Sequence, residues 1–314
     1  MDEVLIAIRA VHFAATIMVA GAIFLQTWVA EPALEAADVA AATADRFRAQ
    51  LKWLAWPALA IALLSGAAWL IRVAANISGE SAGEALTGGT AWTMLTETQF
   101  GLLSIARLTV ALMLAACLAV AKPTARSVRW LPPALAACLV GALAGTGHSG
   151  AAPGWAGELQ LASDVAHLIA AGAWVGGLVP LAMLFALARR AFDGGGAGLA
   201  ATAARRFSVL GMASVGTLTA TGIVNTWVLV GSVSALATTD YGRLLLLKIF
   251  LFAVMIAIAA VNRFHLLPKL HALDNIGRIQ RNSLAEAVLG LMVIEVVGAL
   301  GAIPPAAHAH MHMH

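Results

Sequence analysis

Residues 239–260 read TDYGRLLLLKIFLFAVMIAIAA. Between Leu244 and Val261 the only ionisable side chain is Lys248. A run this long and this apolar crosses a bilayer as a single helix, for which about 20 residues suffice. The same segment occurs earlier as TQFGLLSIARLTVALMLAA at 98–116, an offset of 141 that sets Arg107 on Lys248. Working outward, RAVHFAATIMVAG (9–21) aligns with DVAHLIAAGAWVG (164–176) at an offset of 155. That alignment sets His12 on His167 and Gly21 on Gly176. RF recurs at 46–47 and 206–207, and GAL at 141–143 and 298–300.

The chain therefore reads as one unit written twice. Apolar runs near 4–30, 53–75, 99–121, 130–147, 161–187, 207–231, 242–264 and 284–303 predict an all-α, polytopic membrane protein with eight transmembrane helices. Four spans per unit keep both copies in the same orientation, as two parallel four-helix repeats about an axis along the membrane normal. The expected units are a first repeat over 1–147, a second over 148–305, and a His/Met-rich tail over 306–314.

Composition agrees. The 314 residues are 61% hydrophobic and 11% charged, with a mean hydropathy of +0.87, whereas soluble domains carry about 25% charged residues. One aqueous core cannot hide that much apolar surface. The net charge of +3 is dispersed over loops, and no basic patch suited to nucleic acid is present. The opening MDEVLIAIRAVHFAAT lacks a basic leader and a small-residue cleavage site, so it reads as a retained first span. Cys117 and Cys138 both fall within predicted spans, which argues against a disulfide framework.

Lys and Arg alternate between connecting segments. Those at 31–52, 122–129, 188–206 and 262–283 hold Arg46, Arg48, Lys52, Lys122, Arg126, Arg129, Arg189, Arg190, Arg205, Arg206, Arg263, Lys269, Arg278 and Arg281; 76–98, 148–160 and 232–241 hold none. By the positive-inside rule the basic segments are cytoplasmic and both termini face the other side, which in a bacterium would be the periplasm. Arg9, Arg72, Arg107, Arg243 and Lys248 remain within spans, in the outer half or at its edge. Arg9, Arg72 and Arg243 suit snorkelling to the interface. The deeper Arg107 and Lys248 call equally for pairing or for a functional role.

Chemistry-bearing residues gather on the outer side. His12 and His167 lie at equal depth in apolar helices, where an imidazole needs a partner; pointed at the axis, they would hold one ligand between them. Arg9 and Asp164 each lie three residues earlier, on the same faces, and form a candidate pair of opposite charge across the axis. His148, in GTGHSG, reads either as a ligand or as a helix-end residue. Trp174 shares the face of His167 and either walls the same pocket or packs. Glu295, in LMVIEVVGAL, must be protonated, paired or solvated at its depth, with Lys248 and Arg107 as candidate partners. His265 and His271 read as interfacial. The tail, with His308, His310, Met311, His312, Met313 and His314, gains nothing from core packing, and a mixture of imidazole and thioether suits copper. A purification tag is the mundane alternative.

These features resemble the copper-resistance D (CopD) family of bacterial inner-membrane proteins. The likeness is carried by VAHLIAAGAWVGGL, TTDYGRLLLLKIFLFAVMIAIAAVNRF and NSLAEAVLGLMVIEVVGALGAIPPAAH, with RAVHFAATIMVAGAIF resembling the opening span. The resemblance implies eight spans, copper handling, and a separate periplasmic CopC-type copper-binding partner. It carries over His12, His167, Tyr241, Lys248, Asn262, Arg263 and Glu286 as the matching polar positions. A more distant likeness to haem-binding membrane oxidases implies a b-type haem with His12 and His167 as axial ligands. The readings from sequence are thus a copper permease or importer, a haem b redox protein, and a copper sensor or partner-docking protein, none of them an enzyme. Neither G-x-x-x-x-G-K-[ST] nor Asp-Lys-Thr-Gly occurs, which argues against direct coupling to ATP.

Overall fold

The computed structural model describes residues 2–37, 39–119, 128–146, 155–191, 194–270 and 272–304. The described residues are helical throughout, without a strand. Eight principal helices follow in order: α1 Glu3–Leu25, α2 Ala41–Ser78, α3 Gln99–Ala119, α4 Leu131–Gly141, α5 Trp155–Arg190, α6 Gly196–Val230, α7 Asp240–Val261 and α8 Leu273–Leu300. Seven of the eight are long and apolar enough to span a bilayer, so the chain is a membrane protein. The exception is α4. Its prolines at 132 and 133 set the helix start, and the helix gives way after Gly141 to a 3₁₀ turn at Ala144–Thr146. From 131 to 146 it reaches about 24 Å, less than the ~30 Å hydrocarbon core.

Two helices form the centre. α1 and α5 pack on each other, and their faces are apolar almost all round, as interior helices require. They meet at glycine. A Cβ on Gly21 would stand 1.9 Å from the backbone carbon of Gly176, and one on Gly176 would stand 2.1 Å from Ile17 O. In lipid, where apolar burial gives helices no reason to associate, such small-residue crossings let backbones approach and gain dispersion contact.

Around this pair, packing recurs. α1 lies against α2 and α4, and α5 lies against α6 and α8. The lead into the third helix of each half is the same at the level of atoms. Thr98 Oγ1 accepts from Gly101 N at 3.0 Å and donates to Met94 O at 2.6 Å. Thr239 Oγ1 accepts from Gly242 N at 3.0 Å and donates to Ala235 O at 2.6 Å. In both places the glycine sits where a side chain would strike the backbone of the preceding short helix, Thr90–Glu97 or Val233–Thr238.

Two irregularities interrupt the regular helices. α1 continues through a π-turn at Gln26–Ala30 into Glu31–Ala36, and α7 ends in a π-turn at Asn262–Leu266. A π-turn rotates the side chains that follow it, and such turns are common at functional positions.

Candidate functional site: two histidine stations

His12 is 3% exposed on α1. Its Nδ1 lies 3.0 Å from Ser65 Oγ of α2. Ser65 has already committed its proton to Ile61 O at 2.6 Å, so its oxygen is free only to accept. The carbonyl of Ala62, which can do nothing else, also meets the ring. Nδ1 therefore carries the proton, and the lone pair of the neutral imidazole sits on Nε2. That atom is buried and has no protein partner. Trp69 packs edge-on to the ring with centroids 5.6 Å apart. Gly66 leaves room for the imidazole, because a Cβ there would come within 3.2 Å of Cε1.

Two cations close this first station. Arg9 and Arg107 place Cζ 5.2 and 5.9 Å from the centroid of Trp69. Arg107 is 7% exposed. Cation–π attraction to an indole in a desolvated place offsets part of the cost of burying such groups. Arg9 also donates to Gly301 O at 2.6 Å, fastening the end of α8 to the first turns of α1.

The second station repeats the arrangement with different charge. His167 Nδ1 lies 2.8 Å from Thr221 Oγ1 on α6. Thr221 donates to Thr217 O at 2.6 Å, so the same reasoning protonates Nδ1 and leaves the lone pair on Nε2. Lys248 of α7 is in electrostatic range of both His167 and Asp164. Asp164 accepts a hydrogen bond from Asn225 and is also in range of Tyr241.

Several sequence expectations shift on this geometry. The described contacts of His12 run to α2 and α3, and those of His167 to α6 and α7. Among the described residues no contact joins the two rings, and each imidazole faces its own group of helices. Arg9 turns to Gly301 and Trp69, and Asp164 to Asn225 and Lys248, so the expected Arg9–Asp164 pair is replaced by two separate arrangements. Glu295 is exposed on the face of α8 that also shows Val288, Leu291 and Met292, and no described bond links it to Lys248 or Arg107. The reason is helical phase. Nine residues at ~100° each turn half a circle, so Glu295 stands opposite Glu286, and Glu286 is the buried carboxylate, at 2% exposure. Trp174 is buried, but two turns below His167 it walls a different space, which Glu286 also lines. His148, His308, His310, Met311, His312, Met313 and His314 lie outside the described residues, as does His271; His265 is exposed. Among the described residues no three of His, Cys, Asp or Glu converge as a ready-made metal cluster.

Sequence reading missed Ser65 and Thr221, the hydroxyls that fix both tautomers. The signal was available: SG at 65–66 and TG at 221–222 extend the repeat into the second helix of each half.

Comparison with known proteins gives a consistent picture. Residues 1–158 match the family described as Copper resistance protein D-like, N-terminal domain, and residues 201–300 match Copper resistance protein D. Inner membrane protein YebZ of Escherichia coli (strain K12) is 30% identical over 266 residues, covering 84% of this chain and 85% of that protein. Copper resistance protein D of Pseudomonas syringae pv. tomato is 26% identical over 265 residues, 79% of this chain and 85% of that one. Copper transport protein CutJ of Bacillus subtilis (strain 168) is 30% identical over 141 residues, which span 45% of this chain and 25% of CutJ. No solved structure matches.

Proposed function

The chain belongs to the copper resistance protein D family, and on that premise we propose that it is a copper permease that admits copper from the periplasm through its two histidine stations. The observation that carries this reading is the pair of held tautomers. Both imidazoles spend Nδ1–H on a hydroxyl of the neighbouring helix and present Nε2, the arrangement in which outer-shell hydrogen bonds orient metal-binding histidines. Imidazole accepts either oxidation state of copper. An unpartnered buried ring nitrogen, as at His12, costs about 1–3 kcal/mol of desolvation, which a bound metal would recover.

In this reading the chain crosses the inner membrane eight times, α4 included, as two parallel four-helix repeats with both termini in the periplasm. The recurring packing and the matched Thr98 and Thr239 caps support it. The tail gathers copper, alone or from a CopC-type periplasmic partner, and passes it on together with His148. Arg9 gives the handover a short reach: it ties Gly301 within one helical turn of His12, and the seven residues from there to His308 extend to about 24 Å. The Arg107 and Arg9 charges near His12 oppose a second cation, which suits a place where copper pauses briefly and not one where it is stored.

The test is uptake of radioactive copper into proteoliposomes. Wild-type protein should carry copper above protein-free vesicles, and H12A and H167A should each reduce the rate. Copper binding without flux would overturn the permease reading in favour of a sensor or docking protein.

A further inference from the structure

At the end of the bundle away from both histidines, a cavity of about 410 Å³ lies among α5, α6, α7 and α8. Its body is apolar and aromatic, with Trp174 and Phe207 in its wall. Its polar groups gather where the π-turn at Asn262–Leu266 ends α7. Asn262 Nδ2 donates to Glu286 Oε1 at 2.8 Å, and Asn282 Nδ2 donates to Asn262 Oδ1 at 2.6 Å. Arg263 donates to Ser208 Oγ across the gap between α7 and α6. Beside the opening, Met212 and Phe264 are 47% and 67% exposed, which gives it an apolar rim facing the bilayer. The copper route proposed above uses none of these groups.

We propose that this cavity is a binding site for the ring of a membrane quinone or quinol. Three properties select that chemistry. The size falls within the ~300–1,000 Å³ of pockets that hold small cofactors, and the apolar rim admits a ligand from lipid. The aromatic wall suits a flat ring. The polar end joins an acceptor, the Glu286 carboxylate, with donors on Arg263 and Asn262. A quinol hydroxyl donates to the first, and ring oxygens accept from the others. Glu286 is buried at 2% exposure and holds Asn262, so this end suits a neutral head that forms hydrogen bonds, whereas the phosphate of an anionic lipid would be desolvated there at high cost.

The experiment is binding of a short-chain ubiquinone and of a short-chain menaquinone to the purified full chain in nanodiscs, read by quenching of tryptophan fluorescence. Saturable binding of either is expected. E286Q should weaken binding of the corresponding quinol, whose hydroxyl donates to Glu286, at least tenfold. G211L, which projects into the cavity from a position where an added Cβ meets only ordinary contacts to Trp174, should abolish it, and circular dichroism of both variants should match wild type. W174F should remove most of the quenching signal. Absence of saturable binding to wild type, unchanged affinity in correctly folded G211L, or a co-purifying phospholipid that quinone does not displace would each overturn the proposal.

Discussion

The two histidine stations share a scaffold and differ in charge. Around His12 stand Arg9 and Arg107, and neither makes a described contact to a carboxylate. Around His167 stand Lys248 and Asp164, a cation with an anion in range. The difference traces to one pair of equivalent positions, three residues before each imidazole, where one copy has arginine and the other aspartate. The two stations thus share a hydrogen-bonded imidazole, with Ser65 or Thr221 at Nδ1 in each, and differ by one exchange of charge, which on the proposed reading would make the first repel a cation and the second tolerate it. On the permease reading proposed above, positive cargo would meet a barrier at the first station and a resting place at the second.

The most severe way to break the comparison is to force the halves apart. G21V puts a branched side chain where even Cβ would stand 1.9 Å from the Gly176 backbone. Core overpacking usually costs ~1–3 kcal/mol, and a clash with backbone that cannot rotate away should exceed that range. Loss of monodisperse protein in detergent is expected, whereas G66A, which meets only the edge of the His12 ring at 3.2 Å, should stay folded. Next comes the imidazole itself. H167A should lower copper binding by about 100-fold and H12A by less, since a metal–imidazole bond is lost in both but only the second station is charge-balanced. Equal losses would dissolve the distinction.

Charge swaps sharpen it. A unit charge about 8 Å away at an effective dielectric near 20 is worth ~2 kcal/mol. D164N should therefore weaken copper binding roughly 10- to 30-fold, and R107M should tighten it at the first station by a comparable factor. Titration with Cu(I) against a competing chelator reads both. A smaller effect belongs to the hydroxyls. T221V frees the imidazole of His167 to rotate or change tautomer and should cost about tenfold, with T221S restoring the wild-type value.

Much of this was legible before any coordinates. The apolar period and length of each run gave the helices, and aligning Arg107 with Lys248 and His12 with His167 gave the paired positions, though as one shared site and not as two stations. Depth along a helix follows from residue number, but the direction in which a side chain points depends on which neighbour each face meets, and that is a tertiary outcome. Hence His12 was expected to face His167 and instead faces Ser65, and Glu295 was favoured over Glu286 although half a helical circle separates them. The length of α4 was overestimated for a related reason. Hydropathy runs on through Gly141 into 142–146, where the backbone has already left the α-helical path.

The smallest expected effect concerns a latch that, among the described residues, is found at the start of α1 and not at the start of α5. Asp2 caps α1 by accepting from Leu5 N at 3.2 Å, and it holds Arg72 at 2.8 Å and Asn76 at 2.7 Å on α2. The position 155 residues later is Gly157, which has no carboxylate to offer. Bonding to Arg72, then to Asn76, lowers the Asp2 carboxyl to about 2. Because the folded value lies below the ordinary ~3.9 of an unfolded aspartate, the latch contributes fully above the unfolded value and is lost as pH falls from there through about 2. Hydrogen exchange at the first turns of α1 should therefore quicken, relative to the start of α5, as pH drops from 5 to 2. D2N should already show the faster exchange at pH 5 and change little below it. A first turn of α1 that keeps the same protection relative to α5 across that range would mean that the Asp2 latch does not hold this end of the first station, and that the asymmetry between the two stations lies in the charges around the two imidazoles.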